Sequence, residues 1–133
     1  MLEEFKYGNP NHRGFFLNIL GDKEICKYLG RGQLIDLVML PIIKKYILNI
    51  DGKFVGLGFI QPLNEGEVEI RYCILEKFRG KGYSTILVNY LLEQIDDDKI
   101  VYADIQSENF ASAKAVLKNG FTTNDNFIYS KKR

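Results

Sequence analysis

The spacing of apolar side chains in the first third of the chain predicts helices, because apolar residues recur there every three or four positions. The three apolar groups are Phe15, Phe16 and Ile19; then Ile25, Tyr28 and Leu29; then Leu34, Leu37 and Val38. Gly21 and Asp22 separate the first two groups, which predicts a break followed by a helix N-cap. The third helix is expected to end near Pro41.

The pattern changes to that of β-strands from Tyr46 onward. Two runs of strand-forming residues, 46–50 and 54–60, flank the pair Asp51-Gly52. Such a pair predicts a tight hairpin, because both turn positions require positive φ. Gly56 and Gly58 lie inside the second run, which predicts that another backbone or a ligand approaches closely there.

The second half of the chain predicts alternating strands and helices. Residues 67–74 alternate between apolar side chains and Glu67, Glu69, Arg71 and Cys73, so this strand has two chemically different faces. An apolar stripe over 87–95 predicts a helix, and the short apolar run 100–105 predicts a central strand. Residues 109–119 are predicted to form a helix closed by Gly120, and residues 121–130 are predicted to form a final pair of strands. This order indicates a mixed α/β (α+β) fold.

Composition is typical of one soluble globular domain, which we assign to residues 1–133. With 46% hydrophobic and 26% charged residues, the chain is not of the disordered class. The formal net charge of +1 provides no field for nucleic acid or for an anionic membrane, so neither is an expected partner. No secretion signal or membrane-spanning apolar run is apparent, and we therefore expect a cytoplasmic location.

The two cysteines and the single histidine do not have the spacing of metal ligands, so we expect no metal site. Cys26 and Cys73 are interpreted as buried free thiols. His12 is expected at the surface. The basic end, residues 131–133, is interpreted as a solvated tail.

The segment Arg79–Ser84 joins a predicted strand to a predicted helix and carries the candidate chemistry. The first N–H groups of a helix have no intrahelical acceptor, and the helix dipole adds positive charge at the same end. Gly80 and Gly82 leave those N–H groups accessible, while Arg79 and Lys81 supply formal charge. The segment therefore predicts a site for a pyrophosphate. The alternative is a glycine-rich turn that only leads into a helix.

Two other phosphate-binding motifs do not match this segment. A P-loop requires Ser or Thr after Gly-Lys, whereas Gly82 follows Lys81, and a dinucleotide fingerprint requires a third glycine. The pattern Arg-x-x-Gly-x-(Gly/Ala) resembles the acyl-CoA motif of the GNAT acetyltransferase superfamily, with Ser84 where glycine or alanine is usual. The flanking segments 69–74, Asn109-x-x-Ser112 and 118–121 are also similar, most of all to the group of ribosomal-protein N-terminal acetyltransferases.

This resemblance extends from about Tyr46 to Tyr129 and implies a mixed central sheet with a splayed strand pair, flanked by helices. It implies that acetyl-CoA is the cosubstrate, with no metal. No convincing strand precedes the first helix, so we expect the first strand of the family to be missing. The cofactor contacts that the resemblance implies are Cys73, Ile74 and Leu75 through their backbone, and Arg79, Gly80, Lys81, Gly82, Tyr83, Ser84, Asn109 and Ser112.

Acetyl transfer requires a neutral amine, so a general base assists it near neutral pH. Glu69 resembles the strand glutamate that acts as base in histone-type relatives, and Glu67 is the second candidate. The alternative is that Glu69 pairs with Arg71 or a cross-strand lysine. The N–H of Ile74 is expected to hold the oxyanion.

Many relatives protonate the leaving thiolate with a tyrosine, whose position is occupied here by Val116. Ser112 is the expected substitute, as relatives in the ribosomal group use it. The alternatives are a helix-face hydroxyl for Ser112 and an N-cap for Asn109.

The favoured function is an N-acetyltransferase that moves acetyl from acetyl-CoA to a primary amine, on a protein N-terminus, a lysine or a small molecule. One alternative is a catalytically degenerate CoA-binding sensor or interaction module. A plain nucleotide or phosphate binder is another. The acceptor and the existence of a homodimer are left open.

Overall fold

A computed structural model describes all 133 residues and shows a seven-stranded sheet with helices packed against it. In chain order the elements are β1 (Leu2–Glu4), α1 (Pro10–Leu20), α2 (Lys23–Leu29), α3 (Arg31–Met39), β2 (Lys44–Ile50), β3 (Lys53–Pro62), β4 (Glu67–Ile74), α4 (Tyr83–Glu93), β5 (Ile100–Asp104), α5 (Phe110–Lys118), β6 (Thr122–Thr123) and β7 (Ile128–Lys132). A short 3-10 turn covers Glu76–Phe78. The strand order is β1-β2-β3-β4-β5-β7-β6.

A first strand is present, so the expectation that it would be missing is wrong. β1 pairs antiparallel with β2, and Leu2 lies opposite Leu48 while Glu4 lies opposite Tyr46. Three residues are too few to display a period of two. The strand therefore depends on the edge that β2 offers, and its own sequence carries no detectable pattern.

The three N-terminal helices are confirmed. α1 ends against Gly21, and the Asp22 side chain accepts the N–H groups of Glu24 and Ile25 as the N-cap of α2. His12, however, is 5% exposed, so its expected surface position is wrong. Its ring stacks on Phe5 and its Nδ1 accepts the N–H of Lys6, which explains how a polar ring is accommodated in the interior.

The hairpin between β2 and β3 is also confirmed, with positive φ at Asp51 (52°) and Gly52 (84°). The close approach predicted at Gly56 and Gly58 comes from the protein itself. A Cβ on Gly56 would lie 2.5 Å from the carbonyl oxygen of Cys73, and one on Gly58 would lie 2.8 Å from the side chain of Leu91. These glycines allow β4 and α4 to pack tightly against β3.

The single parallel pairing in the sheet joins β4 to β5 and covers only Glu67–Glu69 against residues 100–102. Beyond it both strands continue unpaired with one another, which is the predicted splayed strand pair. Val68, Ile70, Tyr72 and Ile74 pack in the core under α4 and α5, whereas Cys73 packs in the core under α1 to α3. The mixed sheet expected from the sequence is therefore confirmed.

The basic C-terminus is not a solvated tail, because Lys131 and Lys132 belong to β7 and pair with β5. The N–H of Arg133 donates to the carbonyl of Lys99, and its guanidinium contacts Asp97. Strand pairing thus extends almost to the last residue. None of the helices combines the length and apolar content needed to cross a membrane.

Candidate functional site

A cleft opens where β4 and β5 separate, and we call it the main cleft. Its lining consists of residues 70–74 of β4, residues 103–106 at the end of β5, four residues of α2, and Arg79, Ser84, Asn109 and Ser112. The residues from α2 are Glu24, Ile25, Tyr28 and Leu29. The main cleft therefore brings together the first residues of α4 and α5 with an unpaired edge of the sheet.

The segment before α4 presents a row of N–H groups that have no acceptor within the protein. Gly80 and Gly82 adopt positive φ of 77° and 80°, and Gly82 caps α4 without any side-chain hydrogen bond. The first N–H of this region to be bonded is that of Ile86, which donates to the carbonyl of Gly82. The N–H groups of residues 80–85 are thus available to an external acceptor.

Five of these six residues, all except Lys81, line a second cleft of about 210 Å³, the loop cleft, which shares Ile74, Arg79 and Ser84 with the main cleft. Lys114 and Lys118 of α5 line its opposite wall, and neither forms a salt bridge. A Cβ at Gly80 or Gly82 would meet no atom within 4 Å, so the approach is open. The donors, the free positive charge and the open approach together fit a diphosphate.

Arg79 and Lys81 differ from one another in where their charge lies. The Arg79 guanidinium donates to both carboxylate oxygens of Asp22, at 2.7 and 2.8 Å, contacts Glu24 at 3.0 Å, and donates from Nε to the carbonyl of Ile74. Its charge is therefore neutralised, and the expectation that it adds charge to the anion site is not met. Lys81 is exposed, with its ammonium 6.0 Å from the ring centre of Phe78.

Asp22 is the partner that the sequence identified only as a helix cap. It is 7% exposed, caps α2, and also accepts the N–H of Glu76 at 3.0 Å. Burial by itself raises the pKa of this carboxyl, but the Arg79 guanidinium and the N–H groups of Ile25 and Glu76 outweigh burial and hold the pKa below its ordinary value. One buried carboxylate thus ties α2 to the segment that precedes the open N–H groups.

At the unpaired edge of β4, only every second residue directs its N–H group toward the gap beside β5. Leu75 donates its N–H to Val55 of β3, so the odd-numbered residues of β4 are directed at β3. By alternation, the N–H groups of Tyr72 and Ile74 point toward the gap beside β5. Of the three predicted backbone contacts, Cys73 and Ile74 line the main cleft, whereas Leu75 does not and has its N–H occupied.

The thiol of Cys73 is not suited to act as a nucleophile. It is 8% exposed, and burial raises the pKa of this thiol to about 12, so that the thiolate is scarce at neutral pH. The structure agrees with its interpretation as a small buried side chain.

Glu69 lies outside the main cleft. It lines an adjoining cleft with Glu67, Tyr102 and Asp104, and Asp104 lines both. Arg71 contacts the Glu69 carboxylate through Nε at 3.3 Å and Nη2 at 3.2 Å, which is the pairing named as the alternative to a catalytic role. Glu67 is also engaged, because its carboxylate accepts the hydroxyl of Tyr102 at 2.9 Å.

Asn109 and Ser112 come together at the start of α5. Asn109 accepts the N–H of Ser112 through its side chain at 3.4 Å, so its N-cap role is seen directly. Sequence analysis missed Tyr72, whose hydroxyl donates to the carbonyl of Ser112 at 2.8 Å and accepts the Ser112 hydroxyl at 2.9 Å. The available signal was a hydroxyl on the apolar face of β4, since a buried tyrosine requires a hydrogen-bond partner.

The missed lysines had a clearer signal, because Lys114 and Lys118 are four residues apart on a predicted helix and so lie on one face. In chemical terms, the main cleft and the loop cleft together can hold an elongated ligand with an anionic group at the open N–H groups. No set of three His, Cys, Asp or Glu side chains is arranged to hold a metal ion.

A family model described as "Acetyltransferase (GNAT) family" matches residues 32–121, which is more than half of the chain. No curated protein matches it in sequence. Among solved structures, an aminoglycoside acetyltransferase in complex with coenzyme A and kanamycin has a TM-score of 0.76 at 15% identity, covering 100% of this chain and 95% of its own. The GNAT domain of the S. lividans protein PAT has a TM-score of 0.77 at 11% identity, covering 99% and 89%.

The ribosomal L7/L12 α-N-protein acetyltransferase RimL, in complex with coenzyme A, has a TM-score of 0.71 at 14% identity and covers 98% of this chain and 92% of its own. All three identities are low, so these similarities establish the fold and no more. RimL does not stand out from the other two. The resemblance to the ribosomal-protein group in particular is therefore not specifically favoured.

Proposed function

This chain belongs to the GNAT family of acetyltransferases, and we propose that it moves the acetyl group of acetyl-CoA directly to a primary amine, as one catalytic domain over residues 1–133. The observation that carries the proposal is the row of open N–H groups at residues 80–85, in a segment that lines the same cleft as the unpaired lysines of α5. Main-chain donors that lack a protein acceptor, next to free positive charge, are what a diphosphate requires.

In this proposal the N–H groups around Gly80, Gly82, Tyr83 and Ser84 hold the diphosphate, and Lys81, Lys114 and Lys118 contribute charge. The unpaired edge of β4 at Tyr72 and Ile74 accommodates the pantetheine arm, in the manner of an added strand. Acetyl-CoA supplies the acetyl thioester. Arg79 supports the diphosphate site indirectly, because it donates a hydrogen bond to the carbonyl of Ile74 and anchors the segment to α2 through Asp22.

The amine would approach through the main cleft between α2 and the end of β5. Asp104 lies there, exposed and without a salt bridge, so it favours a cationic acceptor. Glu69 serves as base through water, after exchange of its bond with Arg71, and Glu67 is the second candidate. The N–H of Ile74 stabilises the thioester oxygen as negative charge develops on it.

The acceptor is an amine on a small molecule, a lysine or a protein N-terminus. The similar solved structures include an enzyme for an aminoglycoside and one for a ribosomal protein, whose acceptors differ greatly. Membership of the ribosomal group is one hypothesis among these. Asp104, an unpaired negative side chain near the acceptor entrance, favours a cationic amine over an anionic one, whereas Glu24 beside it is already paired with Arg79.

Titration calorimetry with acetyl-CoA tests the cofactor site, and a thiol-release assay over a panel of polyamines, aminoglycosides and peptides tests transfer. We expect binding, and thiol release that depends on at least one amine. Binding without release for any amine would favour the alternative, a CoA-binding sensor. No binding would overturn the assignment of the open N–H groups to the diphosphate.

A further inference from the structure

The buried hydroxyl of Tyr72 and the hydroxyl of Ser112 form a closed pair at the wall of the main cleft. Tyr72 donates to the carbonyl oxygen of Ser112 at 2.8 Å, while Ser112 donates from Oγ to Tyr72 Oη at 2.9 Å. The tyrosine comes from β4 and the serine from the first turn of α5. Two bonds between the same two residues hold the serine against the strand edge.

The two hydroxyl hydrogens in this pair differ in freedom. The Tyr72 hydroxyl hydrogen is directed at the carbonyl oxygen of Ser112. If it turned away, this buried hydroxyl would have no acceptor for its hydrogen. The Ser112 hydrogen depends only on rotation about one single bond. Both side chains line the main cleft, so that rotation can direct the Ser112 hydrogen into the cleft while the tyrosine stays in place.

We propose that Tyr72 is a positioning residue, which holds the Ser112 hydroxyl so that it donates a hydrogen bond to the sulfur of coenzyme A as the acetyl group departs. This inference rests on the proposed acetyl transfer. In that step the bond between the carbonyl carbon and sulfur breaks and its electron pair stays on sulfur. The same carbon bonds to the amine nitrogen, and the proton that the nitrogen loses passes to the base or to water.

The pair acts by donating a hydrogen bond, and it does not transfer a proton to sulfur. Burial raises the pKa of Tyr72 above its ordinary value of 10. An ordinary thiol has a pKa of about 8.5. The thiol is therefore the stronger acid, and a proton given to sulfur by the tyrosine would move uphill. A charge-assisted hydrogen bond requires no such transfer and strengthens as charge develops on sulfur.

The test is a pH titration of the thiol of coenzyme A bound to the protein, followed by the ultraviolet absorbance of the thiolate. Each protein is also titrated with an analogue of coenzyme A that lacks the sulfur, and subtracting this reference removes the absorbance of ionising tyrosines. We compare Ser112→Ala, Tyr72→Phe and the double variant with Tyr90→Phe as the matched control. Tyr90 is half-buried in α4, lines neither cleft, and its hydroxyl makes no hydrogen bond.

We expect the bound thiol of the wild-type protein to titrate below free coenzyme A. Ser112→Ala should raise its pKa by about one to two, because a hydrogen bond to a charged group is worth roughly one to two pKa units. Tyr72→Phe should raise it too, since the freed serine hydroxyl can turn back to carbonyls of α5. The double variant should match Ser112→Ala, and Tyr90→Phe should match the wild type.

Thermal unfolding of each variant separates this effect from loss of structure. If Tyr72→Phe remains folded and its bound thiol titrates as in the wild type, the positioning role is overturned. A wild-type thiol that titrates like free coenzyme A overturns the role of the pair. If the wild-type protein does not bind coenzyme A, the proposed function itself fails and this inference falls with it.

Discussion

The two ends of the site use different kinds of polar group, main-chain N–H groups at one end and side chains at the other. At the loop cleft the donors are main-chain N–H groups, and those of residues 80–85 have no partner. At the reaction end, formed by the main cleft and the adjoining cleft of Glu69, most of the polar groups are side chains, and three of them are already paired: Glu69 with Arg71, Glu67 with Tyr102, and Ser112 with Tyr72. One end is therefore ready for a ligand, whereas the other must exchange partners when substrates arrive.

The difference follows from where each group lies. The loop segment is exposed, so water satisfies its N–H groups until an anion displaces it. Tyr72 and its neighbours are at least partly buried, and a buried polar group without a partner is costly.

Asp22 links α2, beside the reaction end, to the loop end, and its removal is the largest effect we predict. Asp22→Ala takes away the cap of α2 and leaves Arg79 without its main partner, so we expect a loss of about 3–5 kcal/mol in the free energy of unfolding. Denaturant unfolding monitored by circular dichroism measures it. Glu93→Ala on the exposed side of α4 is the control, with little change expected.

The same carboxylate predicts how stability depends on pH. Because the pKa of Asp22 is lowered in the folded protein, its contribution is complete above the unfolded value near 3.9 and is lost as the pH falls toward the folded value. The stability difference between the wild type and Asp22→Asn should therefore narrow below about pH 4. A constant difference down to strongly acidic pH would contradict the pairing of Asp22 with Arg79.

Glu69→Gln tests whether the reaction end contains the base. If it does, turnover near neutral pH should fall by about 100-fold, the lower end of what general base catalysis contributes. Part of the activity should return as the pH rises, because more of the acceptor amine is then neutral without assistance. Steady-state rates over a range of pH measure both effects.

Glu67→Gln is the matched comparison, since Glu67 lies on the same face of β4 and also in the adjoining cleft. A larger effect at Glu67 would transfer the role of base to that residue. An unchanged pH profile in Glu69→Gln would leave Glu69 as the ion-pair partner of Arg71 only.

The same division explains what could be predicted from the sequence. The breaks at Gly21 and Gly120, the Asp51-Gly52 hairpin and the open N–H groups after Gly80 depend on neighbours in the chain, and the residue types reveal them. The pairing of Arg79 with Asp22 joins residues 57 positions apart, and that of Tyr72 with Ser112 spans 40. No local pattern encodes such contacts, so the sequence assigned Arg79 to the anion and overlooked Tyr72.

The predictions about strand β1 and about the position of His12 were wrong for a related reason. Each is determined by what packs on it: the edge of β2 in one case, and Phe5 with the N–H of Lys6 in the other. A three-residue strand and a single polar residue carry too little pattern to outweigh composition. Local chemistry therefore predicts the open N–H groups, whereas it does not predict the pairings between side chains that are distant in the sequence.

The smallest effect that we predict tests whether the open N–H groups bind coenzyme A, and it must be separated from the effect of backbone strain. Gly82→Val should weaken the binding of coenzyme A about tenfold, because a branched side chain at this position crowds an incoming phosphate. The substitution also places a β-branched residue at positive φ, which is destabilising by itself. Titration calorimetry on protein that is shown to be folded measures the affinity.

Gly66→Val is a matched control, since Gly66 has φ of 77° against 80° at Gly82 and a Cβ at either position meets nothing within 4 Å. Both variants therefore carry a similar strain, and only one of them stands beside the loop cleft. If both lose the same affinity, strain alone accounts for the loss and the segment is a turn. A loss confined to Gly82→Val would show that the affinity depends on the segment at Gly82 itself, which separates an anion site from a glycine-rich entry to a helix.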